Sequence, residues 1–192
     1  MRRIRAFSLI EVLVVVSIIA LLVGITMPSF REARRVSRKT VCMKNLATIG
    51  LGMHAYLLTN RDTFPWVCKS PSYEPTLAAD EGRAEYIPLP KALQTEMKGK
   101  SEVYLCPADK NTLLKYAVNS ERYYDSEGLS YEWYTTKLNG VHLSFGNLPF
   151  PIIESLPQTK YRMLTEFERF HGGTSIPRSQ NYLYVDLHVQ SE

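Results

Sequence analysis

A chain of 192 residues that spends one long apolar stretch near its start has room left for one modest soluble head rather than two. Its net charge of +4 belongs to the flanks of that stretch: residues 1–6 carry +3, Glu11 carries −1, residues 31–44 carry +5, and residues 45–192 sum to −3. A head with that balance does not suit a nucleic-acid partner, and none is expected.

From Phe7 to Phe30 the chain reads FSLIEVLVVVSIIALLVGITMPSF, with Glu11 as the one charge. The 19 residues from Val12 to Phe30 carry none. As a helix they cover about 28 Å at about 1.5 Å per residue, close to the roughly 30 Å of a bilayer's hydrocarbon. The stretch predicts a membrane-spanning helix over 7–30. An ionised carboxylate near a bilayer centre costs roughly 2.5 to 3.5 kcal/mol, so Glu11 calls for a partner. No A-x-A-like signal-peptidase site closes the segment.

Arg5-Ala6-Phe7-Ser8-Leu9-Ile10-Glu11-Val12 resembles the processing site of type IV prepilins and type II secretion pseudopilins, written G/A, F, S/T, L, I/L, E. The resemblance implies a leader over 1–6, a cut between Ala6 and Phe7 by a prepilin peptidase, and N-methylation of Phe7. It also implies that Glu11 meets the terminal amine of a neighbouring subunit as helices stack into a filament. Such a buried pair adds little net stability, but a wrong register strands a charge at a cost of several kcal/mol, so Glu11 would set register. The plainer alternative is a carboxylate that snorkels to the cytoplasmic interface. The implied location is the inner membrane, single-pass, with the head outside the cytoplasm and assembly into a periplasmic or surface filament. Six Lys and Arg after the span against three before it argue for the opposite orientation; the eight-residue motif is the more specific signal.

Pro28 predicts a local kink or loosening near the end of the span. Residues 31–60 read as an amphipathic continuation, with Val36, Met43, Leu46, Ala47, Met53 and Leu57 on one face and the basic residues largely on the other. Gly50 and Gly52 mark close packing or a bend. Asn60 to Pro65 is turn chemistry, and the head is expected over 61–192. Within it a short helix is predicted at Lys91 to Met97. Strands are predicted at Val103 to Pro107, Tyr116 to Val118, Leu129 to Tyr134, Met163 to Phe167 and Asn181 to Val189. The expected class is α+β: a long amino-terminal helix, membrane-spanning in its first half, packed against a small antiparallel sheet head as in the pilin-like lollipop. Burying Leu46, Ile49 and Met53 under the sheet would contribute roughly 1.5 to 3 kcal/mol per side chain.

The carboxyl end supplies a second resemblance. VYLCPADK at 103–110 and RFHGGTSIPRSQNYLYVDLHV at 169–189 are similar to the pilin-like proteins marked by a His, a nine-residue spacer and Asp-Gly. Here fourteen residues separate His171 from Asp186, and Leu187 stands where Gly is expected.

Three cysteines cannot all pair within one chain. For a head outside the cytoplasm, Cys68–Cys106 is the preferred bridge, with Cys42 packing on the helix; three reduced, buried thiols are the alternative. His54, His142, His171 and His188 sit in no nucleophile-elbow, HExxH or Cys-x-x-Cys context. Asp186 and His188 would share a strand face that His171 can approach, yet turn and strand-end roles are the ordinary reading of such groups, and no metal, calcium or other cofactor is expected. The tyrosines around Trp133 read as sheet packing rather than a ligand patch. The chain is therefore expected to be a non-enzymatic structural subunit, with a prepilin peptidase and other pilin-like subunits as its partners. A membrane-anchored binding module, such as an adhesin or a DNA-uptake minor pilin, is the alternative; a signal-anchored enzyme is the third reading.

Overall fold

The computed structural model describes residues 9–69, 87–111, 120–134, 138, 140, 160–168, 170–171 and 180–191. The predicted strand at Tyr116 to Val118 falls outside them, as do Ala6 and Phe7. Helix α1 runs Leu9–Thr59 and continues through Pro28. It is followed by α2 (Leu89–Ala92), α3 (Gln94–Met97), a 3-10 turn (Ser101–Tyr104), α4 (Tyr123–Glu127) and strands β1 (Tyr131–Trp133), β2 (Arg162–Glu166), β3 (Asn181–Tyr184) and β4 (Val189–Ser191). The class is α+β, a long apolar amino-terminal helix followed by a small antiparallel sheet, as the sequence predicts and consistent with a pilin-like fold.

The chain divides into two units, residues 1–37 and 38–192. In the second, α1 buries Cys42, Leu46, Ile49, Met53 and Leu57, which recur at four- and three-residue steps and form one face. The predicted stripe is thus centred differently: Met43 and Ala47 flank it half-buried, and Val36 is exposed. The buried face joins one core with Leu93, Met97, Trp133, Met163, Leu164 and Leu183. Both helix glycines lie at close approaches. A methyl group on Gly50 would stand 3.1 Å from Leu183 Cδ1, and one on Gly52 would stand 2.4 Å from Met97 Sδ. The helix ends where expected, with Asn60 N–H returning to Tyr56 O and Asp62 N–H to Leu57 O. Arg61 and Asp62 at φ 53° and 55° turn the chain away.

The sheet is antiparallel throughout, in the order β1-β2-β3-β4. Tyr131 pairs with Glu166 and Trp133 with Leu164, Leu164 pairs with Leu183, and Leu183 pairs with Val189. A register shift between Arg162 and Leu164 interrupts β2. The predicted strand over Asn181 to Val189 is a hairpin instead. Leu187 N–H closes onto Tyr184 O at 2.9 Å, and Tyr184 N–H donates to His188 O at 3.0 Å. Leu187 takes φ 71°, the conformation the absent glycine would favour. This left-handed backbone costs a non-glycine residue roughly 1 to 2 kcal/mol, while the side chain packs half-buried against the core.

Val103 to Pro107 is a second correction: Ser101–Tyr104 is a 3-10 turn, and Leu105 and Cys106 follow it without ladder pairing. Side chains hold this segment in place of a neighbouring strand. Asn45 Nδ2 donates to Leu105 O at 2.8 Å, and Cys106 N–H donates to Ser130 Oγ at 3.0 Å.

Candidate functional site

Residues 9–37 carry the assembly features read from the sequence. Large apolar side chains from Leu9 to Phe30 are 48% to 83% exposed. Hydroxyls within this stretch are satisfied by the helix itself, Ser17 Oγ donating to Val14 O at 2.7 Å and Thr26 Oγ1 to Leu22 O at 3.1 Å. Apart from Glu11, the surface is thus largely apolar, which suits lipid or other apolar helices. Glu11 lies on it beside Ile10, Val14 and Val15. Among the described residues α1 is the one helix long and apolar enough to cross a membrane. Just beyond, Glu32 and Arg35 form an exposed ion pair at 2.6 Å, of a kind worth little to stability.

The head contains a buried cluster around Cys106. Cys42 and Cys106 are joined by a disulfide across 64 residues, and Cys68 is buried outside that bridge. This corrects the expected Cys68–Cys106 bridge. The cause is positional: Asn45, one turn beyond Cys42, pins Leu105 against α1, while the Cys68 backbone bonds to Ile87 beside the Val67–Ile87 bridge. A loop of this length stapled by a disulfide gains about 4 kcal/mol from lost chain entropy in the unfolded state.

Two polar side chains face the same sulfur. His171 Nε2 lies 3.7 Å and Glu166 Oε1 3.8 Å from Cys106 Sγ, and the two lie 3.0 Å from each other. Glu166 ends β2, which carries it inward, and Asn181 at the start of β3 clasps it. The Asn181 backbone N–H donates to Oε2 at 3.1 Å and Nδ2 donates to Oε1 at 2.9 Å. Cys42, Cys106, Glu166 and His171 are all no more than 1% exposed. The constellation cannot run a nucleophilic relay: the same ring nitrogen meets both sulfur and carboxylate, and the sulfur is disulfide-bonded and sealed from solvent.

His171 thus turns to Cys106 and Glu166, while Asp186 and His188 form a pair of their own. Those two pair with each other through Oδ1 and Nδ1, and the His188 ring stacks on Tyr184 with centroids 4.2 Å apart. Asp109 holds the start of α4, accepting from Tyr123 N–H at 3.2 Å, Tyr124 N–H at 2.9 Å and Ser130 Oγ at 2.6 Å. Burial nevertheless outweighs these donors and raises its pKa. Burial, with the nearby Glu96 charge, also pushes the Tyr104 phenol up to about 12, and burial with the Glu166 charge raises that of Tyr131.

The tyrosine group is mostly core. Tyr123, Tyr131 and Trp133 are buried, Tyr123 stacks on Phe167 at 4.6 Å, and Trp133 meets Phe64 edge-on at 6.3 Å. Tyr134 is exposed, with the Arg162 guanidinium 5.9 Å from its ring. The Cys–His–Glu cluster was not foreseen as such. Its members come from three separate stretches, around 42, 106 and 166–171, of which VYLCPADK and RFHGG contain Cys106 and His171.

Residues 1–27 match the family described as the prokaryotic N-terminal methylation motif, which supports a type IV pilin-like or pseudopilin assignment. No significant match is found among curated proteins or among solved structures. The matched motif implies processing by a prepilin peptidase, and with the long apolar helix it fits a single-pass membrane anchor.

Proposed function

We propose that this chain is made as a prepilin, cut between Ala6 and Phe7, methylated at Phe7 and assembled as a non-enzymatic structural subunit of a type IV pilus-like or type II secretion pseudopilus filament. The inner membrane holds it before assembly, with the head outside the cytoplasm. The observation that carries this reading is the methylation motif over residues 1–27 leading into an apolar helix whose one early charge is Glu11.

Cleavage would free the Phe7 amine only four positions before Glu11. In a stack of such helices, an amine from one subunit and a carboxylate from the next neutralise each other in a low-dielectric bundle. A displaced register leaves each charge buried alone, several kcal/mol worse. The pair thus selects one stagger among the many that apolar packing alone would tolerate.

Mass spectrometry of the mature protein from cells with an active prepilin peptidase should find N-methyl-Phe7 as the first residue; an intact leader in the working protein overturns the reading. Glu11→Gln should abolish filament assembly and leave membrane insertion unchanged. Filaments that survive this change would remove the register role.

A further inference from the structure

Cys106 and the three buried residues around it, Cys42, Glu166 and His171, are a donor set of zinc type. Two thiols, an imidazole and a carboxylate present one ligand atom each, all within 4.8 Å of one another. They are the one such group among the described residues. Around a tetrahedral zinc, bonds of about 2.3 Å to sulfur and about 2.0 to 2.1 Å to nitrogen and oxygen imply separations of about 3.5 Å from sulfur to nitrogen or oxygen and about 3.3 Å from nitrogen to oxygen. The observed values are 3.7 Å from Cys106 Sγ to His171 Nε2, 3.8 Å to Glu166 Oε1, and 3.0 Å between nitrogen and oxygen. Three edges of the tetrahedron are nearly in place in the oxidised protein. The other three edges meet at Cys42 Sγ, which lies within 4.8 Å of the remaining ligand atoms and must part from Cys106 Sγ.

We propose that when Cys42 and Cys106 are reduced, Cys42 Sγ, Cys106 Sγ, Glu166 Oε1 and His171 Nε2 bind one zinc ion in a closed structural site, so that metal replaces the disulfide as the link between α1 and the sheet.

A disulfide needs no carboxylate and no imidazole beside it, and sealing both from water against one carries a desolvation cost. A metal uses both. Asn181 supplies the outer support that such sites require, its backbone and side-chain N–H groups orienting the Glu166 carboxylate. Two thiolates with an imidazole favour zinc over magnesium or calcium. With four protein ligands and full burial there is no open position for a substrate or water, so the site is structural rather than catalytic.

The chemistry balances in two steps. A dithiol reductant gives two electrons and two protons to the Cys42–Cys106 bond and leaves as its own cyclic disulfide. Zinc then enters as both thiols release their protons to solvent, while His171 binds as the neutral ring with its proton on Nδ1. Two protons leave per zinc.

The test uses the full chain in detergent micelles, reduced with dithiothreitol, desalted without oxygen and titrated with cobalt(II) and then zinc. One cobalt per chain with intense visible bands and a thiolate charge-transfer band supports the site. A pale octahedral spectrum, no stoichiometric uptake, or equal uptake by the oxidised protein overturns it. Glu166→Gln and His171→Gln should each weaken zinc at least tenfold while His188→Gln does not, and unchanged affinity in both cluster variants overturns the proposal. Because a variant can fail to fold, the unaltered reduced chain is also alkylated with and without one equivalent of zinc. Protection of Cys42 and Cys106 relative to Cys68 supports the site; equal labelling in both conditions sinks it.

Discussion

Two parts of one polypeptide solve opposite problems. Residues 9–37 are helical and leave their apolar side chains facing outward, with hydroxyls already satisfied by the local backbone. Among the described residues from 38 on, most large apolar side chains turn inward instead, onto a core shared by α1, the short helices and the sheet, with a covalent cross-link added. The exposed apolar face of residues 9–37 is of the kind that lipid or other helices cover. The second part is finished by its own contacts. A filament subunit of the proposed kind needs this division: a surface that stays available for neighbours beside a head that folds without them.

Substitutions probe the contrast, beginning with the cross-link. In oxidising, zinc-free buffer, Cys42→Ser should lower the head's stability by about 4 kcal/mol in urea denaturation, the worth of closing so long a loop. Cys68→Ser, which breaks no bridge, should fall far short of that. Next comes the pair that addresses the comparison most directly. Leu46→Ala removes a fully buried side chain and should cost about 3 kcal/mol through lost transfer energy and the cavity left behind. Leu21→Ala, at a position 65% exposed, should leave the same denaturation curve within about 0.5 kcal/mol. Equal losses at the two sites would erase the distinction between the parts.

The smallest effect concerns pH. With its pKa raised by burial, Asp109 keeps its proton in the folded chain over a range where the unfolded chain has released it. Stability from this group is therefore fully present below 3.8, the ordinary carboxylate value, and is lost as pH rises through the raised folded value. Asp109→Asn should flatten that decline, measured as the urea midpoint against pH. A slope unchanged by the substitution would show that the three donors on Asp109 fully offset its burial.

The legible parts of this protein are those written in neighbouring residues. The uninterrupted apolar run, the recurrence of Leu46, Met53 and Leu57 on one helix face, the stop at Asn60 and the strand-forming composition of the late segments each state a local preference that the fold keeps. The glycines at 50 and 52 were readable as close approaches because a helix otherwise disfavours them. Val103 to Pro107 misled for the reverse reason: its composition suits a strand, but Asn45 and Ser130, far away in sequence, claim its backbone groups.

The sequence by itself determined the anchor, the α+β class and the place of the processing motif, since periodicity and hydropathy act over a few residues and outweigh weak alternatives. Tertiary structure alone decided that Cys106 joins Cys42, that Glu166 and His171 converge on that sulfur, and that Leu187 accepts a turn glycine's conformation. Such choices depend on which distant segments lie within a few ångströms once the core has closed. The free energy that selects them comes from burying the Cys42 to Leu57 face of α1 in the shared core, which no short window of residues contains.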